Sequence, residues 1–64
     1  MKPRSPEVTE EMACQIKALV LDHGLLQHQA AAVFGINQGR VSEVMSGKRY
    51  PGVPPAATLP LGLI

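Results

Sequence analysis

The stretch from residue 27 to residue 46, Gln-His-Gln-Ala-Ala-Ala-Val-Phe-Gly-Ile-Asn-Gln-Gly-Arg-Val-Ser-Glu-Val-Met-Ser, constrains the fold more than any other part of the chain. Ala31 and Phe34 stand three apart on one face of a short helical pattern, and Val41 and Val44 stand three apart on one face of a second. Ile36 is apolar in the turn between them. That spacing makes two helices pack across a tight corner. Ala31 is small where the second helix must cross closely, and Gly35 can take the positive φ that ends one helix and redirects the chain. Asn37 can then cap the next helix through its side-chain oxygen.

Read in order, the window has Gln27 first, Ala31 fifth, Gly35 ninth, Ile36 tenth, Val41 fifteenth and Val44 eighteenth. In these positions it resembles the helix-turn-helix of the Cro and phage-repressor family, the xenobiotic-response-element type. The resemblance covers roughly residues 9–50. It implies a small all-α, three-helix domain that binds double-stranded DNA as a homodimer, with the helix over 38–46 lying in the major groove. The plainer reading of the same residues is a helical hairpin with a glycine corner.

The chain departs from the family at Leu26. The family usually places a capping threonine or serine before the first glutamine, and loss of a good cap costs on the order of 1 kcal/mol. The bare N–H groups of such a helix start can instead bind phosphate. In the resembled proteins this end of the helix abuts the DNA backbone, which makes Gln27 and His28 candidate phosphate contacts.

Within 38–46, Gln38, Gly39, Ser42 and Glu43 fall on the outward face, while Val41, Val44 and Met45 turn inward. Gln38 is the best base reader, because glutamine can make two hydrogen bonds to the N6 and N7 edge of adenine. Ser42 can satisfy several bases. Glu43 can accept from cytosine N4 and also repels phosphate, which would exclude wrong sequences. Gly39 either brings the backbone close to the groove or leaves readout to few residues. Asn37, Arg40, Ser46, Lys48 and Arg49 are the remaining candidate phosphate contacts. Lys48 and Arg49 also suit the negative end of the helix dipole, whereas Arg40 near the helix start calls for an anion nearby.

Charge is distributed to match. The net charge of the 64 residues is only +1, modest for a nucleic-acid binder. The first half sets Lys2, Arg4 and Lys17 against Glu7, Glu10, Glu11 and Asp22; the second sets Arg40, Lys48 and Arg49 against Glu43 alone. The positive end coincides with the candidate DNA face. Two copies would double the phosphate contacts, and a chain this short also gains stability from association.

Around this unit, residues 1–8 read as an extended arm broken by Pro3 and Pro6, either solvated or reaching phosphates through Lys2 and Arg4. A first helix starts at Thr9, with Glu10 and Glu11 in its first turn; a start at Ser5, with Pro6 at the first helical position, is the competing reading. The helix carries Met12, Ile16, Leu19 and Val20 as a core stripe and ends at Gly24, with Leu25 making the apolar contact beyond the cap. Residues 51–64 form a Pro-rich, apolar tail. Pro51, Pro54, Pro55 and Pro60 exclude a long helix, and the alternation of Leu59, Leu61 and Leu63 suits a short edge strand. Such a tail either lies free or grips a partner subunit or another protein through residues 56–64.

No metal, cofactor or catalytic chemistry is expected. Cys14 is the sole cysteine, His23 and His28 lack a ligand spacing, and no nucleophile-base pair or phosphate-binding glycine loop is visible. No signal peptide or membrane span is expected, so the chain reads as cytoplasmic, and nucleoid-associated when bound to DNA. Two further function classes fit the sequence. One is an antitoxin-like protein that adds a partner grip to DNA binding, and the other is a protein-interaction module using the helices as scaffold.

Overall fold

The computed structural model describes residues 7–60, 62 and 63. Its architecture is all-α, with three helices and no strand among the described residues. Helix α1 spans Glu10–Lys17 and opens at Thr9, whose Oγ1 accepts a hydrogen bond from the Met12 N–H at 3.1 Å. Glu10 and Glu11 occupy the first turn, where the helix dipole favours negative charge. The helix then widens into a π-helical turn, Ala18–Asp22, in which the His23 N–H reaches back five residues to the Ala18 carbonyl at 3.1 Å.

Ala13, Ile16, Ala18 and Leu19 are buried, Met12 and Val20 are partly buried against the core, and Leu21 is 60% exposed. Gly24, at φ +72, turns the chain out of the helix. The Leu25 N–H then closes onto the Leu19 carbonyl at 3.0 Å, and Leu25 packs on the core as the expected contact beyond the cap.

Helices α2, Gln27–Phe34, and α3, Gln38–Ser46, share the most extensive helix-helix contact. α1 contacts α3, and the π turn contacts α2. Their common core is aliphatic: Val8, Ala13, Ile16, Leu19, Ala30, Ala31, Ile36, Val41 and Val44, with no buried polar or charged residue among the described residues. Burial of this kind contributes about 25 cal/mol per Å² of apolar surface, and its non-directional character suits a core built from small side chains.

Two expectations for the flanking segments are corrected. Val8 is not part of a free arm: its side chain is 3% exposed, and its carbonyl accepts a hydrogen bond from the Tyr50 hydroxyl at 3.0 Å. Lys2 and Arg4 lie outside the described residues. Nor is the segment after residue 50 a tail standing off the domain. The Ala56 N–H donates to the Cys14 carbonyl at 2.8 Å, Lys17 Nζ donates to the Val53 carbonyl at 2.8 Å, and Val53 and Leu59 pack on the core. This clasp lies along α1, and its described residues form no strand. Leu59 faces the core, Gly62 is in a turn at φ +81, and Leu61 and Ile64 lie outside the described residues.

Tyr50 anchors the clasp in a backbone conformation that tyrosine rarely adopts, φ +49. A left-handed residue costs about 1–2 kcal/mol. The half-buried ring and the hydroxyl bond to Val8 offset that cost, tying both ends of the helical unit together. Among the described residues no helix is long and apolar enough to cross a membrane.

Candidate nucleic-acid interface

The corner is built by local signals. Gly35 caps α2 at φ +66, the Ile36 N–H donates to the Ala31 carbonyl at 3.0 Å, and Ile36 drops into the core at 8% exposure. Asn37 opens α3, its Oδ1 accepting from the Gly39 N–H at 2.7 Å. Val41 and Val44 are fully buried, which fixes the rotation of α3 about its axis. Around that buried pair Gln38, Gly39, Arg40, Ser42 and Ser46 are exposed, with Glu43 half-buried among them.

The expected site residues of α3 are therefore largely exposed, but they differ in what they are free to do. No bond to the side chain of Gln38 or Ser42 is present among the intramolecular hydrogen bonds of the described residues, which leaves both groups available to a ligand. Gly39 has a local reason to be glycine: a Cβ there would sit 3.2 Å from Asn37 Oδ1, tight against the capping oxygen. Asn37 commits that oxygen to the cap, so its amide N–H groups are what remain for a phosphate. The Ser46 hydroxyl donates to the Glu43 carbonyl at 3.3 Å, which directs its proton along its own helix.

At the start of α2, Gln27 is half-buried and His28 exposed. A Gln27–Gln38 hydrogen bond is not present among the described residues. Leu26 supplies no side-chain cap, and the helix start is closed from the other direction: Gln29 Oε1 accepts from the Leu26 N–H at 2.8 Å. This is half of a capping box. Its signal was present in the sequence, since a glutamine at the third helical position commonly reaches back to the N-cap. Leu26 itself is 59% exposed.

The anion that Arg40 calls for is within the chain. Glu43 Oε1 accepts from Arg40 Nη1 at 3.3 Å and from Arg49 Nε at 3.1 Å. These contacts, that of Arg49 first and that of Arg40 second, hold the Glu43 carboxyl below the ordinary glutamate range, against an opposing desolvation. Arg49 reaches Glu43 because the chain reverses after α3. Gly47 caps the helix at φ +84, and the Lys48 and Arg49 N–H groups both donate to the Glu43 carbonyl, at 2.9 and 3.2 Å. Lys48 is exposed next to the pair.

Among the described residues α3 thus offers Gln38 and Ser42 without an intramolecular side-chain partner, with Arg40, Lys48, Arg49 and the paired Glu43 on the same helix and the turn that follows it. No family model, curated protein or solved structure matches the chain.

Proposed function

We propose that this protein is a Cro-like, sequence-specific binder of double-stranded DNA that regulates transcription, most simply as a repressor whose occupancy blocks polymerase. One observation carries the reading. Val41 and Val44 lock α3 so that Gln38 and Ser42 project from the domain with no intramolecular partner among the described residues, while Arg40, Lys48 and Arg49 flank them. Free amide and hydroxyl groups suit base edges, and flanking cations suit phosphates. The chemistry is binding alone, without catalysis. Lys17 is engaged with the Val53 carbonyl, so among the described residues the cations available to DNA from one copy are few. A homodimer on a two-fold-related site, held in the cytoplasm on the nucleoid, answers that shortage by doubling the phosphate contacts.

Selection from random duplexes at near-physiological salt tests the proposal. The expected result is an enriched motif with dyad symmetry that is lost in Gln38→Ala, its half-site spacing giving the dimer geometry. Absence of any duplex binding would overturn it. A protein-interaction module using these helices only as scaffold would tolerate Gln38→Ala and Arg40→Ala without loss. The antitoxin-like variant would need a partner grip beyond the clasp, since Ala56 and Leu59 are already engaged with their own α1 and core.

A further inference from the structure

Glu43 stands at a place on α3 where a side chain could read a base, yet its contacts describe a different task. We infer that Glu43 is a positioning residue that holds Arg40 and Arg49 as a fixed pair of phosphate donors, and that it does not read bases. The inference rests on the DNA-binding reading above and assigns the division of labour within that site.

Three observations support it. First, one carboxylate oxygen, Oε1, accepts from both guanidiniums, at 3.3 Å from Arg40 and 3.1 Å from Arg49. These are charge-assisted contacts, and they set the orientation of the carboxylate. An acid that reads cytosine N4 must instead direct its oxygens into the groove. Second, each guanidinium carries five N–H donors and gives one to Glu43, so both retain donors for an incoming phosphate. Third, the cluster of Arg40, Glu43 and Arg49 remains net positive. Glu43 therefore orients the cations without cancelling their attraction for the DNA backbone.

The geometry of the turn makes the idea separable from folding. The Lys48 N–H, Arg49 N–H and Ser46 hydroxyl all bond to the backbone carbonyl of Glu43, which any substitution retains. The ion pairs are exposed, with side chains 37–47% accessible, so their contribution to stability is small and their effect is on orientation. Glu43→Gln keeps the shape and removes the charge.

The test is a double-variant cycle on the full chain, combining Glu43→Gln and Arg49→Gln singly and together, with duplex selection and affinity as readouts. In parallel, NMR of the free protein follows the Glu43 carboxyl and the Arg49 Nε–H. Expected are a selected motif unchanged at every base pair in Glu43→Gln, a several-fold loss of affinity, and a double variant that loses less than the two single losses combined, the remainder being the release of Arg40. The Arg49 Nε–H signal should shift in Glu43→Gln without any DNA present. A motif altered at one base pair, or additive losses in the double variant, would overturn the inference while leaving DNA binding intact. An unchanged Arg49 signal would overturn it as well. Failure of the wild-type chain to bind any duplex would overturn the DNA-binding reading, and the inference with it.

Discussion

The corner between α2 and α3 and the clasp over α1 bury side chains in the same core, but they are specified in different ways. At the corner every determinant lies within a few residues of the backbone it shapes: Gly35 at φ +66, Asn37 capping Gly39, and Ile36 closing onto Ala31. The clasp depends on partners far away in sequence. Tyr50 bonds to Val8, Lys17 to Val53 and Ala56 to Cys14, with no helical periodicity joining them. Local codes build the surface that presents Gln38, and long-range contacts secure the scaffold behind it.

The most severe way to break the comparison is to remove what both regions share. Ile16 is fully buried in the core on which corner and clasp both pack. Ile16→Ala should cost about 2–5 kcal/mol in denaturant unfolding, enough to unfold much of a domain this small. Loss of the corner with an intact clasp would show that the two do not rest on one core.

Gly35→Val addresses the corner alone. No atom crowds a Cβ there, so the cost is conformational, about 1–2 kcal/mol for a β-branched residue at φ +66. The unfolding midpoint should fall and duplex affinity with it, because α3 loses its setting. A midpoint equal to that of the wild type would mean that the corner adopts another turn.

Tyr50→Phe addresses the clasp. Removing the hydroxyl that donates to the Val8 carbonyl should lower stability by about 1 kcal/mol and leave duplex affinity unchanged. Gln38→Ala should do the reverse, with affinity lost and the thermal midpoint retained. If either variant changed both properties, the division between reading surface and scaffold would fail.

The smallest effect is that of Glu43. Its carboxyl is held below the ordinary glutamate range by Arg49 and Arg40, so its contribution is fully present above the ordinary value. That contribution is lost as pH falls through the depressed one. Wild type and Glu43→Gln should therefore differ slightly in unfolding midpoint near neutral pH and converge in acid. A gap that widened on acidification would contradict the pairing.

These contrasts also show what could be read from the sequence. Fold class, the three helices, the Thr9 and Asn37 caps and the inward turn of Val41 and Val44 follow from short-range spacing and turn chemistry, and all are found. The π turn at Ala18–Asp22 has no signature in the sequence, because its spacing resembles that of an α-helix and only the hydrogen bond five residues long distinguishes it. Val8 and Leu59 could not be placed without the fold, since burial at chain ends depends on what the chain returns to. At the site, the exposure of Gln38 and Ser42 was legible from periodicity. The pairing of Glu43 was not, because Arg49 reaches it only after the Gly47 reversal. Gln29 carries a signal legible in the sequence: its position three residues after Leu26 marks the helix start.

Amide NMR of the labelled chain, titrated with duplex DNA, tests the central claim most directly. The account predicts shifts concentrated in Gln27–Gln29, Asn37–Ser46 and Lys48–Arg49, with Val53–Leu59 unperturbed. Shifts centred on the clasp, or on the exposed Leu21 and Leu26 with α3 silent, would contradict it.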